Sequence, residues 1–289
     1  MPYLDEVVFE FISDPSAQIA SLKAGDIDAI GYLIGPERAS SLDGDPRFKV
    51  LDGVTSGEVI LAMNNSRAPF NDLRVRKAIN YALNKREILE GAMFGYGQLI
   101  GSHMSPVDPN YIDLSWTYPY RPDKAKELLD LAGYPQGFKT TLKLPRPYKY
   151  SVRSGKIIAD QLSKVGIEVK IELIGWGQWI ERVYKNADYD LSVIGHVEAF
   201  DISIYSDPEY YFRYDNEEFQ RIISRAEKEL DEKTRIQLYA IAQWILANEV
   251  PCAFLFEAPS LPAMRVEVMN WWNDYIVPSI DLTEVWINN

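Results

Sequence analysis

A single cysteine, Cys252, stands in a chain of 289 residues, so no disulfide can close within it. Histidine is almost as scarce. The two present, His103 and His196, cannot build a zinc site without carboxylate help. These shortages argue against disulfide-scaffold, redox and structural-metal readings, and no cofactor and no metal are expected. An oxidising compartment stays open, because a chain this long buries enough apolar area to do without disulfides. Basic residues are in the minority, 30 Lys and Arg against 42 Asp and Glu, for a net charge of −12. That balance excludes a nucleic-acid binder, which needs a basic face to meet phosphates. Long apolar runs are missing too. The most apolar stretch, Tyr239 to Phe256, is broken by Gln243, Asn248, Glu249 and Pro251, so it reads as no membrane span. The chain opens Met1-Pro2-Tyr3 and passes straight into Leu-Asp-Glu-Val-Val-Phe with no signal-peptide pattern. That opening reads as the inside of a strand, so Met1 is expected to begin a fragment.

The phosphate-cradling and hydrolytic motifs are also absent. Gly91-x-x-x-Gly95-x-Gly97 is not a dinucleotide fingerprint, and Gly155-Lys156 lacks the upstream glycine of a Walker loop. No Gly-x-Ser-x-Gly and no His-Glu-x-x-His occurs.

What is present is an α/β grammar. Hydrophobic residues at 47 % and charged residues at 25 % are ordinary for a folded chain, and the length calls for two packed units or one large α/β unit. Val7 to Ile12 forms a β-prone run; Asp14 then caps a helix with Pro15 at its first turn and Gly25 past its end. Short strands follow at 27–30 and 48–51, then a buried-type strand, Glu58 to Met63. Helical spacing marks Val75 to Leu83 behind Asp72, then Ile88 to Met93, with a long Gly-, Pro- and Tyr-rich loop over 95–121. Pro122 opens another helix. Strand and helix alternate from Phe138 to Ile194, which implies parallel pairing with right-handed crossovers. Helices capped near Asn216 and Asp231 precede the strand Cys252 to Phe256.

One segment stands apart, Gly195-His-Val-Glu-Ala-Phe-Asp-Ile-Ser-Ile-Tyr-Ser-Asp-Pro208, placed after the carboxyl end of a strand, where open α/β sheets bind ligands. Its His196, Glu198, Asp201 and Tyr205 can meet an ammonium and amides; the same segment also reads as a polar loop leading into the next helix. Trp176 and Trp179, with Tyr184, have helical spacing that favours core packing over ligand stacking. Cys252 beside Pro251 reads as a buried thiol. His103 reads as a hydrogen-bonding or surface loop residue.

Several segments together resemble the dipeptide/oligopeptide-type solute-binding proteins of ABC importers, family 5. They are Leu4-Asp-Glu-Val-Val-Phe with Asp14-Pro15 and Leu22-Lys-Ala-Gly-Asp-Ile-Asp28; Pro69-Phe-Asn-Asp-Leu-Arg-Val-Arg-Lys-Ala-Ile-Asn-Tyr-Ala-Leu83; Asp123-Lys-Ala-Lys-Glu-Leu-Leu-Asp-Leu-Ala-Gly133; Gln161 to Val169; and Asn216 to Leu230 followed by Leu238 to Pro251. They lie in the family's order over almost the whole chain. The resemblance implies a periplasmic-binding-protein-like α/β fold, with one complete lobe and part of the second. Residues 1–58 correspond to a partial lobe I, 59–257 to the complete distal lobe, and 258–289 to the return to lobe I. The family is longer at its N-terminus. It commonly carries a Gly-Trp-x-x-Asp loop whose Asp receives a peptide ammonium; here Gly195 is followed by His196, and Asp201 lies six residues on.

The resemblance implies a non-enzymatic, periplasmic, monomeric solute binder that captures a peptide or peptide-like solute, including a cationic one. It would deliver that solute to membrane permease subunits. The expected ligand-binding residues are Asn64, Trp176, His196, Glu198, Asp201 and Tyr205, with Asn64 near the others on a crossing strand. Two alternatives stand beside it. Abundant carboxylates with 7 Trp and 18 Tyr fit a carbohydrate-active hydrolase using paired carboxylates, and the same fold serves a receptor-like module without import.

Overall fold

The computed structural model describes residues 2–31, 35–42, 44–274 and 280–288. The chain divides into two compact units, one of residues 1–55 with 259–289, the other of residues 56–258.

In the first unit, α1 (Pro15–Ala24) starts as the sequence predicts. The Asp14 carboxylate accepts the Ser16 and Ala17 N–H groups, and Gly25 closes the helix in the left-handed region at φ 85°. β1 (Ala29–Ile30), α2 (Pro36–Ser40) and β2 (Phe48–Val50) follow. The expected strand over Val7 to Ile12 does not form. Residues 6–14 carry no regular structure, and Phe11 is 98 % exposed. An extended run becomes a strand only where a neighbour completes its hydrogen bonds, and among the described residues none does.

The second unit holds β3 (Glu58–Met63), α3 (Leu73–Ala82), α4 (Lys85–Met93), α5 (Pro122–Leu131), β4 (Lys139–Pro145), α6 (Lys149–Ser163), β5 (Glu168–Ile174), α7 (Trp176–Trp179), β6 (Leu191–His196), α8 (Glu217–Ala226), α9 (Glu232–Glu249) and β7 (Cys252–Glu257). Its sheet runs β5-β4-β6-β3-β7. β4 pairs in parallel with β5 and β6, as the alternation predicts; β3 pairs antiparallel with β6 and β7, so the sheet is mixed. The helix expected over 176–184 is a single α turn that widens to a π-helical turn over Ile180–Lys185.

Successive residues of a strand point to opposite faces, and β3 shows it cleanly. Val59, Leu61 and Met63 join an aliphatic core with α3, α4, α5 and α6. Ile60 and Ala62 join a second core dominated by aromatics: Trp179, Tyr189, Tyr205, Tyr211, Phe212, Phe219 and Phe254. A strand covered on both faces reads as an unbroken apolar run, which is why Val59 to Met63 shows no alternation.

The chain then returns to the first unit through β8 (Ala263–Arg265), β9 (Val268–Met269) and β10 (Trp286–Ile287). β8 sits between β1 and β2, antiparallel to both. Among the described residues, no helix is long and apolar enough to cross a membrane.

Candidate functional site

The register of β3 against β6 sets Glu58 opposite His196. By strand parity both side chains fall on the aromatic face, with Ile60 and Ile194 next to them. Two polar residues are thus set into the rim of an aromatic core, and both are more than nine-tenths buried.

A third polar residue comes from the long loop after α4. The loop covers the outer edge of β7: the Glu257 N–H donates to the Gln98 carbonyl, and Leu99 bridges Phe256. Gly101 then passes so close to Leu114 that a Cβ would lie 2.0 Å from its carbonyl carbon. Beyond this pinch His103 enters the core, with ring centroids 5.1 Å from His196 and 5.1 Å from Tyr205. Its burial was not legible in the sequence, where a loop histidine surrounded by Ser and Pro carries no core signal.

The fourth comes from the segment after β6. Phe200 adopts φ 63°, a left-handed conformation unusual for an aromatic residue, and a 3₁₀ turn over Asp201–Ser206 follows. This reversal lays Asp201 across both imidazoles. His103 Nε2 donates to Asp201 Oδ1 at 2.9 Å, and His196 Nδ1 lies 3.7 Å from Oδ2. The Glu58 Oε2 atom is 3.9 Å from His103 Nε2 and has no hydrogen-bond partner. The outward ring nitrogens are held by tyrosines. The Tyr205 hydroxyl is 3.2 Å from His103 Nδ1, and the Tyr211 hydroxyl is 2.9 Å from His196 Nε2.

The charges in the cluster separate by environment. Burial pushes Glu58 up to about 8 against the pull of His103. Burial would likewise raise Asp201, but the His103 hydrogen bond and the neighbouring His196 imidazole outweigh it and hold that carboxyl well below the usual range. For His103, burial disfavours the charged form, yet the Glu58 and Asp201 carboxylates prevail and raise it. His196, buried beside a second imidazole, is lowered.

Of the six residues expected to bind a ligand, three meet here: His196, Asp201 and Tyr205. Glu198 is on the same loop and exposed, its carboxylate accepting the Val197 N–H at 3.2 Å. Trp176 is 40 % exposed, stacked on Trp179 at 5.0 Å, and joined edge-on to Tyr148 at 5.2 Å. Trp179 is the buried member of that pair, its indole N–H donating to Ser192 Oγ. Asn64 is not near the others. It follows the far end of β3, six residues from Glu58, or about 20 Å along a strand. There its buried amide donates to the carbonyls of Ala187 and Tyr189.

The description "Bacterial extracellular solute-binding proteins, family 5 Middle" matches residues 1–218. The chain belongs to this family. Among curated proteins, this family 5 chain is 28 % identical over 279 residues to di/tripeptide-binding protein 1 of Pseudomonas aeruginosa, covering 92 % of the chain and 52 % of that protein. It is 27 % identical over 267 residues to heme-binding protein A of Haemophilus influenzae, covering 86 % of the chain and 48 % of that protein. It therefore spans about half the length of the curated relatives it matches. Among solved structures, the periplasmic binding protein DppA from Helicobacter pylori in complex with the peptide STSA superimposes with a TM-score of 0.79 at 25 % identity. That match covers all of this chain and 58 % of the other. The α/β fold is thus the one found in periplasmic binding proteins. The carbohydrate-active hydrolase considered from the sequence gains no support from these comparisons.

Proposed function

We propose that this family 5 chain is the solute-binding part of an ABC importer. It would capture a peptide or peptide-like solute outside the cytoplasmic membrane and hand it to permease subunits, without catalysis. The family match over residues 1–218 carries this reading. The relatives named for di- and tripeptides and the neighbour solved with a bound peptide support the ligand class.

The loop after β6 is the solute-facing element in this proposal, since it leaves the carboxyl end of a sheet strand. Glu198 is the carboxylate that receives the solute's cationic group, because it is exposed while both Asp201 oxygens face imidazoles. Trp176 offers an exposed ring for apolar side chains. His196, Asp201 and Tyr205 hold the loop in place, and Asn64 secures the opposite end of the strand.

Native mass spectrometry of the purified protein tests the reading, followed by calorimetry with a di- to pentapeptide panel. One solute bound per chain, and restored growth on that peptide in an importer-deletion strain, is the expected result. Binding without growth rescue would favour a receptor role, and the absence of any peptide binding would overturn the proposal.

A further inference from the structure

The chain has only two histidines, and the fold brings both to one point with two carboxylates. His103 and Asp201 are 98 positions apart in sequence. One ligand atom from each of His103, His196 and Asp201 lies within 4.8 Å of the others.

We propose that Glu58, His103, His196 and Asp201 form a binding site for a divalent first-row transition metal, with zinc as the natural occupant. Tetrahedral zinc with bonds of about 2.0–2.1 Å sets its ligand atoms roughly 3.3 Å apart. The present separations are 2.9 Å from His103 Nε2 to Asp201 Oδ1, 3.7 Å from His196 Nδ1 to Asp201 Oδ2, and 3.9 Å from His103 Nε2 to Glu58 Oε2. The first two bracket that value; Glu58 lies outside the 4.8 Å set formed by the other three and would swing toward them to complete the tetrahedron.

Two independent observations point the same way. Glu58 is 4 % exposed, and its Oε2 atom, aimed at His103, has no hydrogen-bond partner. A buried carboxylate oxygen in that state is costly unless something takes it up. Second, metal-bound imidazoles nearly always donate their other N–H to a fixed acceptor. Both histidines here have that partner in place. Tyr205 faces His103 Nδ1, and Tyr211 faces His196 Nε2, which leaves the inner nitrogens for a metal. Two imidazoles with two carboxylates favour zinc over magnesium or calcium, which prefer all-oxygen sets. Two carboxylates also neutralise the ion, which suits a site at the rim of an aromatic core.

The site lies within the second unit and uses neither Glu198 nor Trp176; it shares His196 and Asp201 with the loop proposed to face the solute, so zinc binding is measured apart from solute binding.

The test is metal binding by the complete protein, purified without a histidine tag and stripped with chelator. Equilibrium dialysis against micromolar zinc is expected to give one ion per chain, with an upward shift in melting temperature. X-ray absorption should show two imidazole nitrogens in the first shell, and His103→Gln and His196→Gln should each remove one of them. Glu58→Gln and His103→Gln should each weaken zinc at least a hundredfold. Tyr205→Phe and Tyr211→Phe, which keep the ring packing, should weaken it about tenfold. No stoichiometric zinc, an absorption spectrum without two imidazoles, or unchanged affinity in folded Tyr205→Phe and Tyr211→Phe would each overturn the assignment.

Discussion

The Asn64 side-chain amide donates to the Ala187 carbonyl at 2.8 Å and to the Tyr189 carbonyl at 3.2 Å, both inside the protein. Its Oδ1 accepts from the Ser66 N–H and hydroxyl. One side chain thus ties the end of β3 to the turn that enters β6.

Asn64→Ala leaves two buried carbonyls without their donor, at a cost of about 1–3 kcal/mol. A lowered urea midpoint, with solute affinity of the complete protein unchanged, is the expected outcome. A loss of affinity without a loss of stability would return Asn64 to the binding site.

Gly101→Ala places a Cβ 2.0 Å from the Leu114 carbonyl carbon, a contact that only backbone displacement can relieve. Because this pinch delivers His103 to the core, the variant should be destabilised by several kcal/mol. It should also lose the downfield imidazole proton expected of the His103–Asp201 hydrogen bond. Retention of both stability and that proton resonance would show that the pinch does not position His103.

Lys85 begins α4 and is buried, and burial lowers its pKa to about 8 from 10.5. The unfolded chain therefore holds this proton more tightly than the folded one, so the site opposes folding below pH 8. That opposition is relieved as pH rises from about 8 to 10.5. Lys85→Met should be more stable than the parent at pH 7, by up to about 3 kcal/mol, and the gap should narrow toward pH 10. Denaturant curves at both pH values decide it; a gap independent of pH would mean that burial does not lower the Lys85 pKa.

Glu198 and Asp201 should separate binding from stability. In chelated buffer, Asp201→Asn is expected to lower stability by about 1–3 kcal/mol, since it weakens the contacts of two buried imidazoles. Glu198→Gln should leave melting unchanged, because an exposed carboxylate contributes little, and should weaken a cationic peptide about tenfold or more. Calorimetry and melting on both variants read the two effects separately, and a reversed pattern would reassign the cationic subsite to Asp201.

Much of the fold could be read from local chemistry. Asp14, Asp72, Asn216 and Asp231 all cap helices through their side chains, because capping needs only a short polar side chain within three residues of its target. Glu58 to Met63 and Cys252 to Phe256 were legible as buried strands from their unbroken apolar runs. Val7 to Ile12 has the same composition but no described neighbour to pair with, and strand formation is a property of pairs. The cluster was the least legible part. Ser102-His103-Met104 and Gly195-His196-Val197 share no motif, and what joins them is the course of a loop across β7 and the register of β6 on β3. Asp201 drew attention by its place after a strand, but its engagement by two imidazoles depends on His103, which only the folded chain supplies.

The alternation along β3 also makes the Glu58–His196 pair an index mark for the whole sheet. Sliding β3 by one residue would turn Glu58 from the polar rim into the aliphatic layer beside α3 and α6, and would exchange Val59, Leu61 and Met63 for Ile60 and Ala62 on every contact. The apolar residues alone would tolerate that exchange poorly but without prohibition, since all five are aliphatic. A carboxylate stranded among them is a far larger penalty. A single-residue insertion or deletion between positions 58 and 63 should therefore be rejected by selection much more strongly than any conservative replacement in the same stretch.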